Sequence, residues 1–363
     1  MKNEIREGNI IYYLTGRIDS SNAQQFENDL NNGDVIMDAM DIVFDVGALE
    51  YISSAGLRVL LKVKKSTKRN VKIVNVSDEI FDILDVTGFY NIFEIERKMR
   101  SISIKGCDKI SSALNGEIFK LSDDEMLKVY GKDVALDDIK KERSYAQTAM
   151  IFGVPTLIPY DVVRCEAGYG LIFEKAETTS LANVIKNDPG SINGYATLLA
   201  KLFKELHKTE IPEGKLPDIK DRYRKWIIET DDPDDSKISV FSNLINSIQD
   251  SPNYVHGDIN LNSVMVQNGE LILLDMSGSA RGHALFDLQG LFASLVGIEN
   301  KTKGYCEKTY GLSKEVCIAF WNAFFGEYMG GNKQEISSMN ELLARYFILK
   351  ENILTKLEKK HRL

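Results

Sequence analysis

Two aspartates in the second half of the chain stand in segments whose residue types fit phosphate chemistry. Asp258 closes the triplet His256-Gly257-Asp258, and Asp275 directly follows the apolar run 271–274. Carboxylates bind Mg²⁺ in sites that transfer phosphoryl groups, and a second carboxylate there can orient the attacking hydroxyl. The pair therefore predicts a phosphate-handling site, provided that the fold brings the two residues together.

The residues between these aspartates predict the element that brings them together. Asn268-Gly269 separates two short apolar runs, a pattern typical of a β-hairpin with a type I′ turn. With that turn, the ladder returns Asn262 and Ser263 to the side of Asp275. Carboxylates and short polar side chains would then converge where phosphate and Mg²⁺ could lie.

Three residues upstream fit a nucleotide site. Lys128 lies in a strand-like run, and Glu142 lies in a helical stretch, 137–150. A strand lysine paired with a helical glutamate is the arrangement by which kinase folds hold nucleotide phosphates. Glu174 ends a second apolar run, 171–174, which reads as a buried strand leading into the linker where such folds hold adenine.

These segments, in this order, resemble the aminoglycoside/choline-type phosphotransferase family, most specifically at 256–258 and 273–275. The resemblance implies an α+β, two-lobed protein-kinase-like fold with ATP and Mg²⁺ as cofactors. The implied roles are those of Asp258 as catalytic base, Asp275 as magnesium ligand, Lys128 as the residue that grips the phosphates, and Glu142 as the residue that positions it. Phe286-Asp287-Leu288 also fits the family pattern, whereas His207 is expected to be a structural histidine.

One position departs from that pattern. The family places a magnesium-binding asparagine five residues after the catalytic aspartate, and here that position is Ser263. A serine hydroxyl is a poorer ligand for a hard cation than an amide carbonyl. Two interpretations stay open: Asn262 takes the role after a local shift, or the domain is a weakened or inactive kinase.

A candidate modification site lies in the first hundred residues. Ser54 opens a stretch in which Leu57, Leu60 and Leu61 recur at helical spacing. A serine just before a helix can cap it, and a phosphate there is favoured by free N–H groups and the helix dipole. A phosphate would also add about two negative charges to a surface that a partner must touch. Modification would thus leave the fold intact and abolish docking, although a plain helix cap accounts for the serine as well.

Strand-like runs surround this helical stretch. The run 42–46 predicts a strand buried on both faces, and 10–14 and 71–74 predict two more strands. Strands that alternate with helices within about 100 residues suggest a small sheet covered by helices.

Two segments in this region resemble the STAS domain of anti-sigma factor antagonists, a match that covers residues 4–95. One segment ends in Asp19, and the other is 51–57. The resemblance implies an α/β fold, a small mixed sheet with helices on one side. It implies phosphorylation of Ser54, with Asp19 and Ser53 at a surface that binds a protein partner of the anti-sigma factor or regulatory kinase type. The family often has an aspartate where this chain has Ser53.

We expect two domains, 1–105 and 106–363. With 363 residues the chain exceeds the size of one ordinary core. Between residues 97 and 114 it loses clear periodicity and becomes polar, which places the boundary near Gly106. This seam contains neither Pro nor a Gly-Ser tract, so we expect the domains to be close neighbours.

The composition argues against several classes of function. A formal net charge of -8 and a pI near 5.3 argue against a general affinity for nucleic acid. The most apolar later stretch, 284–298, contains Asp287 and Gln289, so no membrane segment is expected. The four cysteines lie far apart, which predicts neither a zinc site nor a disulfide framework. With no leader pattern at the start, these features predict a cytoplasmic protein.

Two hypotheses about function follow. In the first, a cytosolic signalling protein joins a partner-binding STAS module to an ATP- and Mg²⁺-dependent phosphotransferase that acts on an unknown hydroxyl acceptor. In the second, a nucleotide-binding pseudokinase is joined to a STAS domain that acts as a phosphorylation-controlled binding switch. Asp258, Asp275 and Lys128 favour the first hypothesis, and Ser263 favours the second. Phosphorylation of Ser54 by the same chain is a third alternative, motivated only by the fusion of the two domains.

Overall fold

The computed structural model describes residues 2–6, 8–31, 40–113, 116–166, 168–228 and 235–360. Contacts divide the chain into two compact units, Met1–Ser101 and Ile102–Leu363. Residues 102–105, which the sequence predicts to lie in the first domain, belong to the second unit. The Ile102 amide donates to the Arg164 carbonyl oxygen over 2.8 Å, and the Ile104 amide donates to the Glu166 carboxylate over 3.2 Å. Backbone bonds of this kind leave no trace in the polar composition of the segment.

The first unit is built on a five-stranded mixed sheet. Its strands, hydrogen-bonded in chain order, are β1 (Lys2–Arg6), β2 (Asn9–Ile18), β3 (Asp41–Ile52), β4 (Val71–Val76) and β5 (Glu94–Arg97). β1 and β2 are antiparallel, and the other neighbouring strands are parallel. The strands predicted at 10–14, 42–46 and 71–74 are confirmed.

Strand β3 differs from the prediction in its burial. Ile42, Phe44 and Val46 are buried, whereas Val43 and Asp45 between them are half-buried. The prediction of burial on both faces was therefore wrong. Val43 made the apolar run look continuous, although successive side chains of a strand point to opposite faces.

The described residues of the first unit also form three α-helices: α1 (Ala23–Asn31), α2 (Ser54–Ser66) and α3 (Asp78–Val86). Leu57, Leu60 and Val63 of α2 are buried in its core. The start of α2 packs closely on the sheet, because a Cβ atom added at Gly56 would lie 2.7 Å from Cγ2 of Ile18. The unit therefore has the α/β fold that the sequence predicted.

The second unit begins with an antiparallel five-stranded sheet. In the order β6-β7-β8-β10-β9, it contains β6 (Lys109–Ala113), β7 (Gly116–Lys120), β8 (Glu125–Tyr130), β9 (Pro159–Cys165) and β10 (Gly168–Glu174). Helix α4 (Leu136–Ile151) connects β8 to β9 and packs against β9 and β10. The strands predicted at Lys128 and at 171–174 and the helix predicted at 137–150 are confirmed.

A largely helical region follows this sheet and forms the other lobe of the α+β fold. Its helices are α5 (Leu181–Asn187), α6 (Ile192–Leu206), α7 (Ile219–Ile228), α8 (Asp235–Ser247), α9 (Leu285–Phe292), α10 (Ile298–Lys301), α11 (Tyr305–Tyr310), α12 (Lys314–Tyr328) and α13 (Lys333–Lys360). The segment Ala293–Gly297 between α9 and α10 is π-helical. Leu199, Phe203 and Leu206 of α6 are buried in the core of this lobe. Within the ranges that the structure describes, no helix combines the length and apolar character needed to cross a bilayer.

Short strands in this lobe support the candidate site. They are β11 (Thr179–Ser180), β12 (Tyr254–Val255), β13 (Val264–Gln267), β14 (Glu270–Leu273) and β15 (Ala280–Arg281), with β11 beside β13 and β12 beside β15. β13 and β14 form a hairpin in which Gln267 lies opposite Glu270. Asn268 and Gly269 have φ angles of 51° and 85°, as a type I′ turn requires. The predicted hairpin and its register are confirmed.

Candidate functional site

Lys128 lies at the centre of the candidate site. Its Nζ atom lies 2.9 Å from Oε1 of Glu142 on α4 and 2.9 Å from Oδ1 of Asp275, directly after β14. The lysine side chain is 7% exposed, whereas the Asp275 side chain is 43% exposed. The structure thus brings three of the predicted residues into one ion-pair network that spans the two lobes of the second unit.

Charge keeps this buried lysine protonated. Burial alone would lower the pKa of Lys128, but the carboxylates of Asp275 and Glu142 outweigh it and raise the pKa above its ordinary value. Lys128 therefore carries a fixed positive charge. Glu142 is itself buried, so the Lys128–Glu142 pair is the permanent part of the network, and Asp275 is its solvent-accessible part.

Two glycines hold the Asp258 loop against the segment that follows Asp275. A Cβ atom added at Gly257 would lie 2.4 Å from the Gly278 carbonyl oxygen, and one added at Gly278 would lie 2.4 Å from the His256 carbonyl oxygen. Both distances are too short for any side chain. Gly257 also has a φ angle of 79°, which favours glycine. The backbone approach of Gly257 to Gly278 therefore joins the Asp258 loop to the segment that follows Asp275.

Asp287 anchors the backbone of the same loop from within α9. Its Oδ2 accepts the His256 amide over 2.9 Å and its Oδ1 accepts the Gly257 amide over 2.7 Å. His207 Nε2 lies 3.2 Å from the same carboxylate, and its Nδ1 lies 3.0 Å from the Tyr328 hydroxyl. Burial opposes ionisation of Asp287, but the bond to His207 and the loop amide lower its pKa below the ordinary value. The expectation that His207 is structural is confirmed.

The sequence did not predict that Asp287 binds the loop amides, although 286–288 fits a family pattern. A signal was present: Asp287 is a charged residue in an otherwise apolar helical stretch. Such a residue must be paired or hydrogen-bonded inside the protein. Its partners could not be identified, because the loop amides that it binds lie far away in sequence.

The side chain of Ser263 is hydrogen-bonded within its own turn, and that of Asn262 is hydrogen-bonded to a neighbouring helix. The Ser263 hydroxyl accepts the Asn260 amide over 2.9 Å and donates to the Asn260 carbonyl oxygen over 3.1 Å. Asn262 donates its side-chain amide to the carbonyl oxygen of Thr309 on α11 over 3.0 Å. Asn260 was not singled out from the sequence, yet its Oδ1 accepts the amides of both residues, over 2.9 Å and 3.2 Å. It is the side chain that shapes this turn.

Glu174 lies at the end of β10, as predicted, and its carboxylate binds protein backbone. Its Oε1 accepts the Ile158 amide over 2.9 Å, and its own amide donates to the Ile158 carbonyl oxygen over 3.0 Å. Glu174 thereby fixes the segment just before β9. The structure does not bring its side chain into the Lys128 network.

Magnesium has one well-suited donor here. Among the described residues, no group of three or more His, Cys, Asp or Glu side chains could hold a metal ion. Mg²⁺ usually keeps several waters and takes only one or two protein carboxylates together with substrate phosphates. The exposed carboxylate of Asp275 beside Lys128 fits that requirement, so a cation would be held by Asp275 and a nucleotide together.

The first unit presents a separate cluster at the junction of β2 and α2. Ser53 is the residue before α2, with φ -86° and ψ 171°, and Ser54 is the first helical residue and is exposed. The alternative in which Ser54 is only a helix cap does not fit: the cap position belongs to Ser53, which makes no side-chain capping bond. The Ser53 Oγ atom is buried and has no hydrogen-bond partner among the described residues.

Asp19 lies next to this helix start. The Ser53 amide donates to the Ile18 carbonyl oxygen over 2.8 Å, which joins the end of β2 to the start of α2. Asp19 Oδ1 accepts the Ser21 hydroxyl over 2.6 Å and the Ser21 amide over 2.9 Å. These two bonds lower the pKa of Asp19 below its ordinary value. Asp19, Ser53 and Ser54 are therefore together at one edge of the first unit.

Comparison with known proteins identifies relatives of the first unit. Residues 1–102 match the family model of the STAS domain. Over 92 residues the chain is 34% identical to a candidate anti-sigma factor antagonist, BtrV, of Bordetella bronchiseptica, and the alignment covers 24% of this chain and 78% of that protein. The resemblance of the N-terminal residues to STAS domains is confirmed.

Solved structures similar to the rest of the chain are aminoglycoside phosphotransferases. A type VIII aminoglycoside-3′-phosphotransferase has a TM-score of 0.46 at 17% identity, covering 68% of this chain and 94% of that one. The ternary complex of APH(2″)-IIa with streptomycin and ATP has a TM-score of 0.44 at 19% identity, covering 68% of this chain and 84% of that one.

Proposed function

We propose that this chain is a two-part signalling protein, since it belongs through residues 1–102 to the STAS-domain family. In this proposal the STAS module binds a protein partner, of the anti-sigma factor or regulatory kinase type. The second unit is an ATP- and Mg²⁺-dependent phosphotransferase that acts on a hydroxyl acceptor.

The chemistry proposed for the second unit uses positioning and charge. Lys128, held by Glu142, binds the phosphates of ATP through its ammonium group. The oxygen of the acceptor hydroxyl attacks the terminal phosphorus of ATP, and Asp258 accepts the proton of that hydroxyl. The bond from this phosphorus to the bridging oxygen breaks, and ADP leaves. Asp275 would hold Mg²⁺, which would neutralise charge on the transferring phosphate.

One observation carries this proposal: the Lys128 ammonium is shared by Glu142 and Asp275 at 2.9 Å each. A structural ion pair needs only one carboxylate. The second, exposed carboxylate is where an oxygen-bound cation and a triphosphate would be expected. The contact of Gly257 with Gly278 supports the proposal further, because it joins the Asp258 loop to the segment that follows Asp275.

Turnover tests the proposal. Purified protein is incubated with ATP, Mg²⁺ and a panel of hydroxylated compounds, and ADP release is measured. We expect Asp258→Asn to lower turnover about 100-fold or more, since general-base catalysis contributes that much. Asp221→Asn, at an exposed position on α7, serves as the matched control and should match the wild type. Equal turnover by Asp258→Asn and wild type would refute the assignment.

A second candidate function is a nucleotide-binding pseudokinase, and one observation favours it. The Ser263 hydroxyl is engaged by Asn260 as both donor and acceptor, and the Asn262 side chain is bonded to Thr309. Neither side chain is then offered to a second magnesium ion. This alternative predicts ATP binding by calorimetry with no ADP release above the Asp258→Asn background.

For the first unit we propose phosphorylation at Ser54 as the control of partner binding. Ser54 is exposed at the first position of α2, so a phosphate there would be accessible and stabilised by the helix dipole. Ser53 is the less suitable acceptor, because its hydroxyl oxygen is buried. Phosphopeptide mapping of protein isolated from growing cells tests the assignment: phosphate on Ser53, with none on Ser54, would contradict it.

A further inference from the structure

Helix α7 begins against the loop that carries Asp258. A Cβ atom added at Gly257 would lie 3.4 Å from Cδ1 of Ile219, the first residue of α7. The same side chain fills the space beside Gly282, where an added Cβ atom would lie 2.2 Å from its Cγ2 atom. The first turn of α7 is therefore fixed on the Asp258 loop.

Arg222 lies one turn further along, on the side of α7 that Ile219 occupies. The Nη1 atom of Arg222 is buried. Burial lowers the pKa of the guanidinium, and the largest opposing influence is the negative charge of Asp258, followed by Tyr223 and Tyr145. A buried guanidinium requires a compensating charge, and the largest such charge acting on Arg222 is that of Asp258.

We propose that Arg222 is a positioning residue for Asp258: its guanidinium pairs with the Asp258 carboxylate and holds it in one orientation. Asp287 fixes only the backbone of this loop, at His256 and Gly257. Arg222 would fix the side chain. The consequence for catalysis rests on the proposed phosphotransfer, but the coupling between the two side chains does not, and it is measurable without any activity.

A double-mutant cycle on stability tests the coupling. Arg222→Met keeps the aliphatic stem but removes the charge, and Asp258→Asn keeps the shape of its side chain. Both tryptophans of the chain, Trp226 and Trp321, belong to the second unit, so their fluorescence in urea reports its unfolding. We expect the double variant to be at least as stable as the less stable of the two single variants. The expected coupling is about five- to tenfold in the unfolding equilibrium constant. Additive effects would overturn the proposal.

Arg224→Met is the matched control on the same helix. Arg224 bonds Asp221 over 2.7 Å and Asn246 over 2.9 Å, both outside the site. The loss of stability in Arg224→Met should add to the loss in Asp258→Asn, with no coupling between the two substitutions. If Arg222→Met prevents folding, Arg222→Lys replaces it in the cycle, because it keeps a charge on a flexible stem and should retain part of the coupling.

A turnover measurement then tests positioning. We expect Arg222→Met to lower kcat at least tenfold with little change in KM for ATP, and Arg222→Lys to recover part of the loss. An unchanged kcat in Arg222→Met, despite coupling in the cycle, would overturn the positioning role. A wild-type protein without turnover would contradict the proposed phosphotransfer, and the cycle would still decide whether the two side chains are coupled.

Discussion

At the scale of single residues, the buried cation of Lys128 is the feature on which the candidate site depends. Removing it would leave Glu142 buried without its counter-charge, and removal of one partner of a buried pair is strongly destabilising. Its charge is also the one that would meet the phosphates of a nucleotide.

We therefore predict that Lys128→Met lowers ATP affinity at least tenfold and destabilises the second unit by about 3 kcal/mol. Calorimetric titration with ATP and urea unfolding followed by tryptophan fluorescence measure the two effects. Lys120→Met is the control, because Lys120 on β7 is partly exposed and pairs at the surface with exposed Asp123. Similar ATP affinities for the two variants would contradict the role of Lys128.

A second residue-scale prediction concerns Ser54. An acidic group at the first position of α2 meets the positive end of the helix dipole, so Ser54→Asp should stabilise the first unit by about 0.3–1 kcal/mol. Ser66→Asp, at the last position of the same helix, meets the negative end and should destabilise it by a similar amount. Hydrogen exchange of the β3 amides measures both. Destabilisation by Ser54→Asp would exclude a modification that spares the fold.

Asp287 supplies a prediction about pH. Its pKa is lower in the folded than in the unfolded chain, so its contribution to stability is fully present above the ordinary carboxyl range. That contribution is lost as the pH falls through the folded-state pKa. We expect the second unit to lose stability below about pH 4.

The variant Asp287→Asn should lose part of this acid sensitivity. At pH 7 it should cost about 2–4 kcal/mol, because an amide group offers only one acceptor atom to the two loop amides and no charge to His207. Urea unfolding at several pH values, followed by tryptophan fluorescence, measures both effects. An Asp287→Asn variant with the acid sensitivity of the wild type would refute this account.

At the scale of elements, the sequence predicted the structures that depend on residues close together in the chain. Asn268-Gly269 predicted the hairpin and its register, because a type I′ turn requires positive φ at both central positions. The contact between Gly257 and Gly278 could not be predicted, since it joins two segments through backbone atoms alone. Nor could the bond of Asn262 to Thr309, which depends on where α11 packs.

The glycine contact leads to an element-scale prediction. Gly278→Ala places a methyl group 2.4 Å from the His256 carbonyl oxygen, so the Asp258 loop must move away from Asp275. We expect a loss of stability of about 3 kcal/mol, from overpacking. Turnover should fall with it.

Gly194→Ala is the control for this substitution. Gly194 lies on the exposed side of α6, where an added Cβ atom would meet no described atom within 4 Å beyond its chain neighbours and the backbone of its own helix. This variant should gain about 0.5–1 kcal/mol, since alanine favours a helix more than glycine does. Urea unfolding compares the two variants. A Gly278→Ala protein as stable as the wild type would show that the approach of the two segments is not required.

At the scale of the whole molecule, the sequence predicted both folds and most residues of the candidate site. The apolar patterns predicted strands and helices well, and the spacing around Asp258 and Asp275 predicted the hairpin between them. What it missed depends on tertiary contacts: the anchoring by Asp287, the packing of α7 against the Asp258 loop, and the attachment of residues 102–105 to β9. The roles assigned to the site residues all stay predictions, those of Glu174, Asn262 and Ser263 included.

We propose that Lys128 and Asp275 bind one nucleotide and one cation between the two lobes of the second unit. Calorimetric titration of wild type and Asp275→Asn with ATP, each with and without Mg²⁺, tests this proposal. We predict that Mg²⁺ strengthens ATP binding to the wild type at least tenfold and leaves ATP binding to Asp275→Asn almost unchanged. An equal effect of Mg²⁺ on both proteins, or no ATP binding to the wild type, would contradict the claim.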